Sequence, residues 1–196
     1  MNIPNTLTIS RIAMIAVAVA LSAFCGPRVE HMTGTIRVFR IIVMLLAFLA
    51  GITDLLDGYL ARKWNQITDF GALMDPLADK IFVASCMLIA VEYRLMPSWI
   101  AIAVLAREFM VTGLRSLAAK KGVVISADKF GKLKTAMQML MLALAGASWI
   151  GCFDLWTKYT PQWYIWIIYL CGVVFVTMYS GVSYFIKYRY VFMENK

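Results

Sequence analysis

Six apolar runs, each close to the length of a membrane-crossing helix, dominate the sequence. They lie at about residues 12–25, 36–61, 72–93, 97–118, 133–151 and 163–187. A helix needs about 20 apolar residues to cross the hydrocarbon of a bilayer, and 62% of this chain is hydrophobic while only 15% is charged. The sequence therefore predicts an all-α integral membrane protein with six transmembrane helices, in a single domain that covers residues 1–196.

The basic residues predict the orientation of these helices in the cell membrane. Twelve lysines and arginines flank the apolar runs on the side of the two termini, against five on the other side. Because cytoplasmic loops carry the excess of Lys and Arg, both termini and the loops after the second and fourth helices are predicted to be cytoplasmic. The net charge of +8 is spread over the ends of the runs, which favours membrane lipids and phosphate substrates as partners and argues against nucleic acid.

Five of the eleven acidic residues fall in the stretch from Asp54 to Asp79, beside or inside apolar runs. Ionised carboxylates near hydrocarbon are costly, so a cluster of them requires a compensating cation or a water-filled cavity. On a helix, Asp54, Asp57 and Gly58 share one face, and Asp75 shares a face with Asp79 one turn later. Two such pairs predict a site for one or two hard divalent cations, Mg²⁺, Mn²⁺ or Ca²⁺, because every ligand is an oxygen.

The same stretch carries a pattern known from one protein family. The pattern D-x2-D-G-x2-A-R-x8-G-x3-D-x3-D is met at every fixed position, by Asp54, Asp57, Gly58, Ala61, Arg62, Gly71, Asp75 and Asp79. In this the chain resembles the CDP-alcohol phosphatidyltransferases. The resemblance implies transfer of a phosphatidyl group from CDP-diacylglycerol to a small alcohol, with release of CMP. It also implies a polar active-site cavity that opens at the cytoplasmic side, two divalent ions (Mg²⁺ or Mn²⁺) and a homodimer.

The resemblance further implies roles for individual residues. The metal ligands are Asp54, Asp57, Asp75 and Asp79. The positions that match cytidine-nucleotide contacts are Gly58, Arg62 and Thr68, and Asn5 and Thr8 are predicted to extend this CDP-diacylglycerol pocket. Asp79 is also the general base for the acceptor hydroxyl. Since an aspartate beside two cations is a poor base unless it binds them loosely, this role is a separate hypothesis from the place of Asp79 in the site.

Basic residues of the fourth and fifth apolar runs predict a second, cationic half of the site. Arg107 and Arg115 lie eight residues apart, which places them about 80° apart around a helix and ~12 Å apart along it. Lys132 and Lys134 lie at the start of the fifth run. A doubly charged phosphate favours several convergent cations, although the lysines alone suit lipid phosphates equally well. Arg107 lies deep enough to need a partner, either Glu108, another acid or a bound anion.

Four shorter segments are similar to one branch of the family, the phosphatidylglycerophosphate synthases. They are N-I-P-N-x-L-T-x-x-R at 2–11, A-R-E-F at 106–109, G-L-R at 113–115 and G-K-x-K-T-x-x-Q at 131–138. This similarity implies sn-glycerol 3-phosphate as the acceptor of the phosphatidyl group. Inositol phosphate, serine or phosphatidylglycerol as acceptor stays open.

The acidic cluster also fits a protein of another functional class, a divalent-cation transporter, because intramembrane acids mark ion pathways too. The last 58 residues carry no assigned motif. Their aromatic side chains, Trp149 and Trp166 among them, are predicted to be anchors at the membrane interface.

Overall fold

The structure, a computed structural model, describes residues 3–25, 34–64, 69–122, 129–153, 155 and 157–189, and their side chains except at 3–7, 54–73, 75 and 129. Within these ranges the backbone forms six α-helices: α1 Ile3–Phe24, α2 Gly34–Trp64, α3 Asp69–Glu92, α4 Ser98–Lys120, α5 Lys129–Trp149 and α6 Pro161–Lys187. The prediction of an all-α chain with six helices is confirmed.

Several helices extend past the apolar run that predicted them. α1 begins at Ile3 rather than near residue 12, so Pro4 lies in its first turn, where the missing N–H has no helical acceptor to lose. α5 begins at Lys129 rather than near residue 133 and therefore includes Lys132. These extensions place polar residues of the predicted site on regular helix, although hydropathy alone left them outside it.

The most apolar helix, α6, has a clear start signal. The Thr160 hydroxyl accepts a hydrogen bond from the backbone N–H of Trp163 at 3.2 Å, and Pro161 occupies the first helical position. N–H groups in the first turn of a helix have no helical acceptor; the Thr160 hydroxyl accepts from one of them, and proline has no N–H group that needs an acceptor. The polar turn before α6 thus ends where the apolar run begins.

On α6, several large apolar side chains are exposed while two hydroxyl side chains are buried. Ile168 and Phe175 are each 71% exposed, whereas Thr177 and Ser180 are completely buried. In water this arrangement would leave large apolar groups hydrated. It fits a protein whose surrounding solvent is hydrocarbon, in which polar groups must be satisfied internally.

The length and composition of some helices also indicate a membrane protein. Among the described residues, the helices over Gly34–Thr53 and Pro161–Lys187 are long and apolar enough to cross a membrane, and Thr8–Phe24 is a shorter apolar helix. The prediction of apolar, membrane-type helices is supported. Six crossings and their orientation stay predictions.

The chain groups into two compact units. The first comprises Met1–Tyr93 and Gly146–Cys152, and the second comprises Arg94–Ala145 and Phe153–Lys196. In the first unit α1 packs against both α2 and α3, and in the second α4 packs against α6. The predicted single domain stays a prediction.

A buried arginine joins the ends of several helices in the first unit. Arg40 Nη1 donates to the carbonyl oxygen of Trp149, the last residue of α5, at 2.9 Å. The Arg40 guanidinium also lies 5.3 Å from the centroid of the Tyr93 ring, and the Tyr93 hydroxyl donates to the carbonyl of Ser22 at 2.7 Å. Since a cation is favourable at a helix C-terminus, Arg40 closes the end of α5.

Two tryptophans that were predicted to be interfacial anchors are buried instead. Trp149 is 4% exposed and Trp166 is 3% exposed, and Trp166 Nε1 donates to the carbonyl of Leu95 at 2.6 Å. The prediction is wrong for these two residues. An indole ring with one polar atom fits a protein interior as well as a lipid interface when a carbonyl is within reach.

Candidate active site

The acidic segment spans the junction of α2 and α3. Asp54 and Asp57 lie in the last three turns of α2, and Asp75 and Asp79 lie in the first three turns of α3. Four residues separate the two helices. Because each pair is spaced by three or four residues, each shares one side of its helix.

Most of the side chains predicted to bind the metal ions and the nucleotide are not among those that the structure describes. These are Asn5, Asp54, Asp57, Gly58, Arg62 and Asp75, and for Thr68 the backbone lies outside the described residues as well. Among the side chains that are described, no group of three or more His, Cys, Asp or Glu could hold a metal ion. The four-aspartate site and the nucleotide contacts therefore stay predictions.

Asp79 is described, and a buried arginine of α1 holds it. The side chain of Asp79 is 54% exposed and that of Arg11 is 2% exposed, and Arg11 Nη1 donates to Asp79 Oδ1 at 3.3 Å. Thr8, which is 1% exposed, lies one turn before Arg11 on the same face of α1. α1 thus brings a fixed cation to the first turns of α3, while the Asp79 carboxylate keeps an exposed side.

Arg107, Glu108 and Lys134 form a buried ionic cluster in the second unit. Each is at most 7% exposed. Glu108 Oε1 accepts from Lys134 Nζ and from Arg107 Nη1, the latter at 3.4 Å. Glu108 is therefore one partner of Arg107, as predicted. Among the described contacts, two cations share one carboxylate in a place where an uncompensated charge is costly.

α6 supplies further contacts to the arginines of α4. Arg107 Nη2 donates to Ser180 Oγ at 2.8 Å, and Arg115 Nη2 donates to the Tyr184 hydroxyl at 2.9 Å. The centroid of the Tyr184 ring lies 5.8 Å from Arg107 Cζ and 5.3 Å from Arg115 Cζ. The two arginines, eight residues apart on α4, therefore share one side of that helix, as predicted from their spacing.

The four cations predicted to bind phosphate differ in their exposure. Arg107 and Lys134 are buried, whereas Arg115 and Lys132 are exposed. The ion pair between Lys134 and Glu108 directs this lysine into the protein rather than toward lipid phosphates. Among the described contacts, none joins Lys132 to the cluster, so for Lys132 both roles remain open.

Two parts of this arrangement were not predicted from the sequence. The first is the contact of Arg11 with Asp79, for which the available signal was the spacing of Arg11 three residues after Thr8. The second is the contribution of α6. Ser180 and Tyr184 are polar groups four residues apart on a mostly apolar helix, and such a spacing indicates a single face with buried polar contacts.

The cationic residues of the second unit suit an anion with several oxygens. Guanidinium and ammonium groups at fixed positions donate charge-assisted hydrogen bonds to phosphate oxygens, and a guanidinium does so with two parallel donors. The charge of Arg115 is exposed and accessible to a ligand from outside, whereas Arg107 and Lys134 are buried. This gradation predicts a phosphate site with an accessible entrance and a buried end.

The sequence model of one family, the CDP-alcohol phosphatidyltransferases, matches residues 1–184. The match covers the acidic segment, the arginines of α4 and α6 as far as Tyr184. It therefore extends well past Gln138, where the recognisable motifs end.

Three bacterial proteins named CDP-diacylglycerol–glycerol-3-phosphate 3-phosphatidyltransferase are similar to this chain. The protein of Bacillus subtilis is 37% identical over 188 residues, which cover 95% of this chain and 94% of that protein. The protein of Haemophilus influenzae is 37% identical over 188 residues, which cover 93% and 91%. The protein of Rickettsia bellii is 34% identical over 184 residues, which cover 94% and 93%.

Proposed function

Because the chain belongs to the CDP-alcohol phosphatidyltransferase family, we propose that it transfers the phosphatidyl group of CDP-diacylglycerol to sn-glycerol 3-phosphate. The products are phosphatidylglycerophosphate and CMP. The observation that carries the proposal is the 34–37% identity, over 91% or more of each chain, to bacterial proteins named for this reaction. The buried cationic cluster around Arg107 supports an acceptor that carries a phosphate.

The acidic segment has the ligand chemistry of a divalent-cation site. The residues that would hold two Mg²⁺ or Mn²⁺ ions are Asp54, Asp57, Asp75 and Asp79. They fit this role because they are carboxylates on the adjoining ends of α2 and α3, only four residues of connector apart, and hard cations prefer oxygen ligands. When bound, such ions polarise a pyrophosphate and offset the charge of a departing CMP.

The residues proposed to contact the donor nucleotide come from α1 and from the acidic segment. They are Asn5, Thr8, Gly58, Arg62 and Thr68. Thr8 is buried on the face of α1 that also carries Arg11, which places a hydroxyl next to a fixed positive charge. Such a pair suits a ligand with both hydrogen-bonding groups and phosphate oxygens.

Asp79 is the residue to which we assign the proton transfer. Its carboxylate takes the proton of the acceptor hydroxyl while the hydroxyl oxygen forms a bond to the phosphorus next to diacylglycerol. The bond between that phosphorus and the CMP oxygen breaks, and CMP leaves. The half-exposed carboxylate is accessible to an incoming hydroxyl, and Arg11 positions it through Oδ1.

The acceptor is held by its phosphate in this proposal. The groups that bind it are Arg107, Arg115, Lys132 and Lys134. Their charges attract the doubly charged phosphate of glycerol 3-phosphate, and they have no comparable group to bind on serine or on uncharged glycerol. The cationic cluster thereby selects a phosphorylated acceptor.

The donor is a lipid and the acceptor is soluble in water, so the two substrates meet at a membrane surface. We propose six membrane-crossing helices, with the termini and the reaction on the cytoplasmic side, and a homodimer as the working form. The two described helices with the length and apolarity of membrane spans support the membrane location. The orientation rests on the excess of Lys and Arg on one side of the spans.

An acceptor panel tests the proposed function. Purified protein in micelles that contain CDP-diacylglycerol and Mg²⁺ is given glycerol 3-phosphate, inositol phosphate, serine, phosphatidylglycerol or glycerol, and CMP and lipid products are measured. We expect product with glycerol 3-phosphate, and none when EDTA is in excess. Product with another acceptor alone would refute the choice of acceptor, and divalent-cation flux in proteoliposomes without CMP release would refute the enzymatic function.

A further inference from the structure

The last turns of α6 contact both arginines that we assign to the acceptor phosphate. The contact face consists of Ser180, Gly181 and Tyr184, which are all buried. We propose that this face is the positioning element of the acceptor-phosphate site, and that it fixes Arg107 and Arg115 and thereby determines the affinity for phosphorylated acceptors. The inference rests on the proposed function, since it extends the same site by a helix to which the sequence motifs gave no role.

Arg107 is held by α6 at both ends of its side chain. At the guanidinium end, Nη2 donates to Ser180 Oγ at 2.8 Å. At the aliphatic end, a Cβ built on Gly181 would lie 2.9 Å from Arg107 Cγ. Carbon atoms in ordinary contact are about 3.5–4.0 Å apart, so the stem of Arg107 lies directly against the backbone of α6. A larger residue at position 181 would displace it.

Among the described contacts, those of Arg115 with α6 are at its guanidinium end. Its Nη2 donates to the Tyr184 hydroxyl at 2.9 Å, and its Cζ lies 5.3 Å from the ring centroid. Tyr184 is itself 2% exposed and packs in an apolar cluster with Val111 and Leu114 of α4. A rigid aromatic ring therefore restrains the guanidinium of an arginine at the protein surface.

Restraint of this kind acts on binding rather than on the chemical step. An arginine side chain that is free before binding loses rotamer freedom when it grips a phosphate, whereas one that is already fixed loses little. If α6 only stabilised the fold, substitutions on its contact face would change the melting temperature and leave the KM values of both substrates unchanged. A positioning role predicts a rise in the KM for glycerol 3-phosphate alone.

Two alanine substitutions of glycines in α6 form a matched pair for the test. Gly181→Ala adds a methyl group against Arg107, whereas Gly172→Ala adds the same group two and a half turns earlier, where the nearest atom outside its own turn is Met137 Cε at 3.9 Å. Two further variants add no atoms in the contact. Ser180→Ala removes the acceptor of Arg107 Nη2, and Tyr184→Phe removes only the hydroxyl that accepts from Arg115.

Steady-state CMP release is measured for each variant while glycerol 3-phosphate and CDP-diacylglycerol are varied in turn, alongside the melting temperature. We expect the KM for glycerol 3-phosphate to rise about tenfold or more in Gly181→Ala and Ser180→Ala, which is the effect of losing one hydrogen bond to a charged group. The rise should be smaller in Tyr184→Phe, because the aromatic ring beside Arg115 remains. The KM for CDP-diacylglycerol should stay near its wild-type value in all three. Gly172→Ala should match the wild type in both constants.

An unchanged KM for glycerol 3-phosphate in Ser180→Ala would overturn the inference, as would an equal rise in the KM values of both substrates. If Gly181→Ala cannot be purified folded, Ser180→Ala and Tyr184→Phe decide the question. Failure of the proposed function appears separately, in the wild-type protein. A wild type that uses only inositol phosphate would refute glycerol 3-phosphate as acceptor, while the variants would still report on positioning through the KM for inositol phosphate.

Discussion

Replacement of Glu108 by glutamine tests whether the buried cationic cluster is a phosphate site. Glu108→Gln keeps the shape of the side chain and removes its charge, so the buried Arg107 and Lys134 lose an anion that both contact. Loss of one partner from a buried ion pair costs about 3–5 kcal/mol. Because the glutamine carbonyl still accepts one hydrogen bond, the lower figure, about 3 kcal/mol, applies here.

This loss of stability is large enough to measure by thermal unfolding. For a chain of this size, 1 kcal/mol lowers the melting temperature by about 2–4 °C, so the expected decrease is about 6–12 °C. The tryptophans of the protein report unfolding in detergent micelles by their fluorescence. The matched control is Glu92→Gln, which removes the same charge from an exposed position at the end of α3 and is expected to leave the melting temperature within about 1 °C.

The decisive arm of the experiment adds an anion. A phosphate bound beside Arg107 and Lys134 replaces the lost carboxylate, and a ligand at 100 times its Kd stabilises the folded state by about 2.7 kcal/mol. Glycerol 3-phosphate or inorganic phosphate should therefore restore most of the lost stability in Glu108→Gln, and should stabilise the wild type less. A variant as stable as the wild type would refute the ionic role of Glu108. A destabilised variant that phosphate does not restore would refute the phosphate site.

Four other outcomes are expected. Asp79→Asn should fold and bind CDP-diacylglycerol while its turnover falls by about two to four orders of magnitude; near-normal turnover would remove Asp79 from the mechanism. Excess EDTA should abolish CMP release, and Mg²⁺ or Mn²⁺ should restore it, whereas undiminished turnover in EDTA would refute the metal site. Trp166→Phe should lower the free energy of unfolding by about 1 kcal/mol through the lost indole hydrogen bond, and the exposed Trp99→Phe should not. Arg40→Met should destabilise by about 1.5–3 kcal/mol because the end of α5 loses its cap, whereas the exposed Arg37→Met, one turn earlier on α2, should have little effect; equal stability within either pair would contradict the contact.

The fold was predictable from hydropathy because lipid leaves few alternatives for a backbone. An apolar run of about 20 residues satisfies its own N–H and C=O groups only as a helix in hydrocarbon, and each of the six runs became one. The ends of the helices were less predictable. α1 continues through the polar residues that precede its apolar run, because Pro4 and Asn5 are tolerated in a first turn and hydropathy does not report on helix formation there.

The sequence predicted site residues whose charge is costly to bury. It did not predict the site residues of α6 that are polar but uncharged. Arg107 could be assigned a need for a partner because a guanidinium at membrane depth requires one, and Glu108 is such a partner. Ser180 and Tyr184 gave no such signal, since a hydroxyl in an apolar helix can satisfy itself on the preceding turn. Which hydroxyl of α6 meets which arginine of α4 depends on how the two helices pack, and a single sequence does not contain that information.

A carboxylate inside a phosphate site has a physical use when the product carries the same phosphate as the substrate. Phosphatidylglycerophosphate retains the phosphate of the glycerol 3-phosphate from which it forms, so every cation that binds the acceptor also holds the product. With Glu108 neutralised, Arg107 and Lys134 would bind the phosphate more tightly, both in the acceptor and in the product. Because this gain in affinity is the same for acceptor and product, it would lower the KM for the acceptor and would also slow the release of the product. Glu108 contacts both cations, so in the proposed site it would stabilise the two cations before the acceptor binds and would weaken their binding to the product afterwards.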